Sequence, residues 1–286
     1  MSHLLSSHSD QIVQPEALLA RPNANRLFID VHLGEPADEL KSYREGHILG
    51  AVHAQIREVF AGPPTPDSGN LPLPDVAALQ QQLQAWGVDA DTELVLYGPS
   101  LALAARGWWV LRWAGLSNVK VLDGGLRGWV QQGGAVAQGD TVPPPRASAS
   151  ELMLQPGQMP QIEVDAVAQL HPATVLIDAR DEAAYLAGCI PRARHLPSAE
   201  QWTPAATLRT LAEVRQLYES VGVHPGADVV VYCGGGVLSA LAVLTLEALG
   251  HRPRLFVGSW SQWNKCPQRM ALSATSLSAS SQEVAA

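Results

Sequence analysis

The chain has 286 residues, 47% of them apolar and 16% charged, enough apolar material for about two ordinary cores and too much for a chain disordered throughout. A net charge of −8 without any Lys/Arg-rich run argues against a nucleic-acid partner. No apolar run approaches the roughly 20 residues of a membrane span, and residues 1–10 lack the basic start and apolar core of a secretory signal, so a soluble, cytoplasmic protein with no membrane partner is expected.

In chain order, Leu27-Phe28-Ile29-Asp30-Val31 predicts a buried strand with an acidic residue near its end. Gly46-His47-Ile48-Leu49-Gly50-Ala51 follows, and after the Gly87-Val88 turn a second strand, Leu94-Val95-Leu96-Tyr97-Gly98. An apolar helix over residues 101–114 leads to a third strand, Val119-Lys120-Val121-Leu122, and to Asp123-Gly124-Gly125-Leu126-Arg127-Gly128-Trp129. The chain from Thr141-Val142-Pro143-Pro144-Pro145-Arg146 to residue 160 is rich in Pro, Gly, Ser and Gln and reads as an extended linker. The same order then recurs: Val175-Leu176-Ile177-Asp178-Ala179, Gly188-Cys189-Ile190-Pro191-Arg192-Ala193, and after Gly222-Val223 the strand Val229-Val230-Val231-Tyr232-Cys233. A helix over residues 239–249, Arg254-Leu255-Phe256-Val257 and Gly258-Ser259-Trp260-Ser261-Gln262-Trp263 complete the second copy.

Such a repeat means two copies of one α/β unit. The expected division is a domain over residues 10–137, a linker over 138–160, a second domain over 161–270 and a frayed Ser/Ala-rich tail over 271–286. Strands alternating with helices imply in each domain a mainly parallel sheet flanked by helices, with functional loops at the carboxyl ends of the strands.

One such loop carries chemistry. Cys233-Gly234-Gly235-Gly236-Val237-Leu238-Ser239 joins a strand to a helix. Its glycines allow the backbone to curl so that successive N–H groups converge, and a helix N-terminus behind them adds further donors. A cysteine there is favoured as its thiolate, and the same cradle would stabilise a persulfide anion. From spacing alone, a buried cysteine beside a phosphate-binding or empty turn stays open.

Tyr232-Cys233-Gly234-Gly235-Gly236-Val237 resembles the active-site loop of the rhodanese superfamily, and Gly258-Ser259-Trp260-Ser261-Gln262-Trp263 its Gly-Ser-Trp-x-x-Trp ending. Residues 46–51 are similar to its Gly-His-Ile-Pro-Gly-Ala signature, and Leu122-Asp123-Gly124-Gly125 with Trp129 to its Leu-Asp-Gly-Gly helix entry. The resemblance implies an α/β chain of two rhodanese-like domains. The first would be inactive, since Gly98 stands where the second repeat has Cys233. It also implies sulfur transfer without metal or organic cofactor: Cys233 takes a sulfane sulfur from a small donor and passes it to cyanide or a thiol. Gly234, Gly235, Gly236, Val237 and Leu238 would be the backbone donors to the persulfide, and Ser239 a cap of the following helix or a hydroxyl donor. Tandem members often work as monomers, and a monomer is implied here.

The resemblance leaves the sulfur donor open. Members using 3-mercaptopyruvate tend to read Cys-Gly-Ser/Thr-Gly-Val-Thr, whereas here Gly235 lacks the hydroxyl and Leu238 replaces the threonine. Their carboxylate-gripping Arg-Phe/Tyr pair reads Ala184-Tyr185, which leaves Arg180 as the nearest candidate for substrate contact, against an ion pair at the strand end. Thiosulfate is favoured, with 3-mercaptopyruvate as the alternative and a non-catalytic binding or regulatory module as a further one. A cysteine phosphatase would need an arginine where Ser239 stands. Cys189 and Cys266 read as structural thiols, a disulfide between Cys266 and Cys233 staying open; the tryptophans at 108, 109, 113, 129, 260 and 263 read as packing residues.

Overall fold

The computed structural model describes residues 9–23, 25–141 and 152–270. They form two compact units that are not contiguous in sequence: Met1–Gly62, Leu73–Met159 and Thr203–Leu208 make up the first, and Pro63–Pro72, Pro160–Trp202 and Arg209–Ala286 the second.

The first unit runs β1 (Ile12–Val13), α1 (Pro15–Leu19), β2 (Arg26–His32), α2 (Pro36–Glu45), β3 (His47–Ile48), β4 (Val52–Gln55), α3 (Val76–Ala85), β5 (Glu93–Tyr97), α4 (Leu101–Trp113), β6 (Val119–Leu122), α5 (Gly125–Gln131) and β7 (Val136–Ala137). Its main sheet has the order β1-β6-β5-β2-β4, every pair parallel. All five residues of β5 are buried, as an unbroken apolar run in a sheet covered on both faces must be. Helix α4 buries all but Leu103 and Arg112 of its 13 residues. It lies close on the sheet because Gly107 has no side chain: a Cβ there would stand 2.4 Å from Leu96 Cδ2 and 3.0 Å from the Phe60 ring. The His47–Ile48 signature forms a short antiparallel ribbon with β7.

The second unit runs α6 (Val164–Ala168), β8 (Val175–Asp178), α7 (Glu182–Leu186), β9 (Arg194–His195), α8 (Leu211–Ser220), β10 (Val229–Tyr232), α9 (Leu238–Ala248), β11 (Arg254–Leu255) and α10 (Ser259–Trp263). The sheet order is β11-β10-β8-β9, again all parallel. It repeats β6-β5-β2-β4, and the parallel bridge of Gln161 to Leu255 takes the edge place that β1 has in the first unit. Turn chemistry sets the helix starts: Asp181 accepts from Ala184 N–H, and Thr210 with Glu213 closes a reciprocal capping box.

Of the expected linker, residues 142–151 lie outside the described residues, while those at 152–159 belong to the first unit. Gln155 N–H donates to Ala114 O at 2.8 Å, Gln158 N–H donates to Trp113 O at 3.1 Å, and Leu152 is buried. The expected tail, 271–286, lies outside the described residues. Trp108, Trp109, Trp113, Trp129 and Trp263 are buried in their units, and Trp260 is half-buried. Among the described residues no helix is long and apolar enough to cross a membrane.

Candidate active site

Strand β10 is three valines and a tyrosine, all buried, and its carboxyl end delivers Cys233 to the turn before α9. Cys233 is 1% exposed. Its Sγ accepts the Gly236 N–H at 3.1 Å and the Ser239 hydroxyl at 3.3 Å. Two donors on one sulfur stabilise negative charge there.

Of the three glycines, Gly236 alone has a positive φ, 86°. That residue turns the chain back so that its N–H faces the sulfur. A Cβ on Gly234 would meet no atom within 4 Å, and one on Gly235 would stand 3.8 Å from Leu71 Cδ1. Gly234, Gly235, Val237 and Leu238, the neighbours of Cys233 in the loop, are half-buried. Among these loop residues the backbone bond to Sγ comes from Gly236; the other expected donors stand around it without bonding it.

Ser239 corrects the expectation of a cap. Helix α9 starts at Leu238, with Val237 in the capping position, so Ser239 falls inside the first turn. A side chain there points back toward the helix N-terminus, which aims its hydroxyl at Cys233 Sγ.

The turn before α10 holds the other side of the loop. Ser259 Oγ accepts the Cys233 N–H at 3.2 Å, Trp260 N–H donates to Cys233 O at 2.9 Å and Ser261 N–H donates to Gly234 O at 2.9 Å. The segment Pro63–Pro72 belongs to this unit and braces the turn: Asn70 N–H donates to Ser261 Oγ, and Lys265 Nζ donates to the carbonyls of Thr65 and Ser68. The Gly-Ser-Trp ending was legible in the sequence, but its bonds to the cysteine loop and the approach of Leu71 were not.

Arg180 sits in the ion pair that was the other reading of it. Its Nε donates to Asp178 Oδ1 at 2.9 Å, and its Nη2 donates to Asp178 Oδ2 and to Gly188 O at 2.7 Å. The guanidinium packs over Trp260 at 4.7 Å, and Tyr232 Oη donates to the same carboxylate at 2.6 Å. Burial pushes the Tyr232 phenol up, and the Asp178 charge adds to the rise.

The other thiols take no part in this arrangement. Cys189 is buried in the second unit's core, where burial first and the Asp178 charge second push its thiol up. Cys266 donates to Gln268 Oε1 at 3.0 Å, and all three cysteines are free. Among the described residues no group of three His, Cys, Asp or Glu is arranged to hold a metal ion.

In the first unit the corresponding loop borders a cavity of about 610 Å³ at the carboxyl ends of β2, β5 and β6, lined among others by Asp30, His32, Gly98, Leu101 and Arg127. No thiol stands there. A Cβ on Gly98 would lie 2.3 Å from Val31 O, so the backbone itself has closed the position against a side chain.

Comparison with known proteins finds the same domain in both halves of the chain. The family model described as "Rhodanese-like domain" matches residues 14–132 and 163–266. The chain is 33% identical over 249 residues to the protein named "Putative thiosulfate sulfurtransferase SseB" of Mycobacterium tuberculosis, covering 83% of this chain and 86% of that one. It is 33% identical over 273 residues to the "Probable 3-mercaptopyruvate sulfurtransferase" of Pseudomonas aeruginosa, covering 90% and 94%. The crystal structure of the 3-mercaptopyruvate sulfurtransferase SseA from Escherichia coli superposes with a TM-score of 0.75 at 27% identity, over 88% of this chain and 99% of that one. With the domain matched in both halves and the thiol loop in the second, the chain belongs to the rhodanese family of sulfurtransferases.

Proposed function

We propose that Cys233 is the sulfur carrier and that the transfer is ping-pong. The observation that supports it is the convergence of the Gly236 N–H and the Ser239 hydroxyl on Cys233 Sγ at the carboxyl end of a parallel strand. With thiosulfate as donor, the Cys233 thiolate attacks the outer sulfur; the sulfur–sulfur bond of thiosulfate breaks, sulfite leaves with its electron pair, and Cys233 holds a persulfide. Cyanide or a thiolate then attacks the outer sulfur of the persulfide, and the Cys233 thiolate is released. The N–H groups of Gly234, Gly235, Val237 and Leu238, in the same loop, would take the outer sulfur of the persulfide.

Thiosulfate is the donor we favour. Arg180, the one cation noted as a candidate grip for a mercaptopyruvate carboxylate, is held by Asp178 and the Gly188 carbonyl, and Gly235 offers no hydroxyl. 3-Mercaptopyruvate is the second reading, carried by the relatives that bear its name.

The test is incubation of the purified protein with each donor separately, followed by intact mass. Gain of one sulfur atom by the wild type and none by Cys233→Ser is expected; full turnover by Cys233→Ser would overturn the assignment. Gly235→Ser fits without strain, with Leu71 at 3.8 Å from the new Cβ. It should raise the ratio of mercaptopyruvate to thiosulfate activity, measured as kcat/KM for each donor, and an unchanged ratio would remove Gly235 as a determinant of donor choice.

A further inference from the structure

Ser259 has a backbone that suits a different residue. It is wholly buried, with φ at 54°, in the left-handed region that glycine enters freely and other L-residues enter at a cost. Glycine precedes it, yet Gly258 has an ordinary right-handed φ of −66°. A turn selected for shape alone would carry glycine at 259. The hydroxyl is what glycine would remove, and it makes two bonds: it accepts the Cys233 N–H at 3.2 Å and donates to Phe256 O at 2.9 Å.

The next two residues extend the same hold. Trp260 N–H and Ser261 N–H take the carbonyls of Cys233 and Gly234, each at 2.9 Å. Cys233 is thereby fixed at both its N–H and its C=O by one turn of chain, while its sulfur is left to Gly236 and Ser239 on the other side. Strain of this kind persists where function requires the strained group.

We infer that Ser259 is a positioning residue for sulfur transfer: its hydroxyl holds the Cys233 backbone in the orientation that keeps Sγ under the Gly236 N–H and the Ser239 hydroxyl. The inference rests on Cys233 being the sulfur carrier. Ser259 touches no reacting atom and acts through the placement of the nucleophile.

Ser259→Gly separates positioning from folding, because it relieves the backbone while deleting the hydroxyl. Thermal melting, and steady-state turnover with whichever of thiosulfate and 3-mercaptopyruvate loads the wild type, are measured on the wild type, Ser259→Gly, Ser259→Ala and Cys233→Ser. Ser259→Gly leaves the Cys233 N–H unpaired as Ser259→Ala does but relieves the strained φ, so it should melt above Ser259→Ala, while its kcat falls roughly 10–100-fold with the donor KM changed far less. Ser259→Ala should lose kcat similarly and melt lower than Ser259→Gly, since both leave the buried Cys233 N–H unpaired but alanine also keeps the strained φ. A Ser259→Gly protein with wild-type kcat overturns the inference, and so does a kcat that recovers from Ser259→Ala to Ser259→Gly in step with the melting temperature. Failure of the underlying reading shows differently, as a wild type that gains no sulfur or a Cys233→Ser protein that still turns over.

Discussion

Cys233 and Gly98 occupy the same step of the repeat, yet their surroundings differ in a way that one substitution can expose. Gly98→Cys would place a Cβ 2.3 Å from Val31 O, a backbone atom that cannot swing aside. The variant should lose about 1–3 kcal/mol of stability by chemical denaturation. In a Cys233→Ser background it should gain no sulfur by intact mass; loading at position 98 would show that only the thiol is missing from the first unit. The residue scale is also where the sequence misled. Ser239 looked like a cap because the helix start was read beside it; the capping position is Val237, two residues earlier, and that shift puts the Ser239 hydroxyl in the first turn, where it donates to the sulfur. Arg180 had two readings, substrate contact and an ion pair at the strand end, and the bonds from its guanidinium to Asp178, two residues before it, are those of the ion pair.

At the scale of elements, two charged clusters tie the first unit's strands to pH. Glu93 begins β5 and accepts from Lys120 Nζ and Arg26 Nε, both at 2.6 Å, and from Asn23 Nδ2 at 3.2 Å. Burial pushes its carboxyl up, but the Lys120 and Arg26 bonds outweigh burial and bring it down to about 2. Its stabilisation is therefore present above the unfolded value of about 4.3 and lost as the pH falls toward 2. Glu93→Gln should cost roughly 2–3 kcal/mol near neutral pH, with the deficit closing on acidification in denaturant titrations. His32 has the opposite sign. Burial lowers it, but Asp30 at 2.9 Å from Nε2 and Glu39 beside Nδ1 together raise it above the ordinary value. The stability it contributes is full below about 6.5 and is lost as the pH rises through the raised value. His32→Gln should thus destabilise the protein more at a pH of about 6 than at about 9. In the second unit, Thr210→Ala removes one side of the capping box on α8 and should cost about 1 kcal/mol by the same titration.

Over the whole molecule, two parallel sheets with separate apolar cores imply that heat unfolding departs from a two-state transition. Scanning calorimetry should give a calorimetric enthalpy larger than the van't Hoff value, and equal values would mean that the units unfold as one. Much of this architecture was legible in the sequence because buried parallel strands are unbroken apolar runs: Glu93–Tyr97 and Val229–Tyr232 need no partner to be recognised. The repeat, the thiol in the second copy alone and the glycine loop after it were likewise local patterns. What local pattern could not supply was long-range. The segment Pro63–Pro72 belongs to the second unit through contacts almost 200 residues away, such as Asn70 with Ser261. The left-handed Ser259 lies 26 positions from the cysteine whose N–H it accepts. Among three cysteines, local sequence by itself singles out Cys233 as the proposed sulfur carrier, since it alone is followed by a run of glycines at a strand end. Which groups hold its sulfur was decided by the tertiary structure alone, because hydrogen-bond partners depend on distance and direction in space, and residues far apart in the chain met those requirements only once the sheet was built.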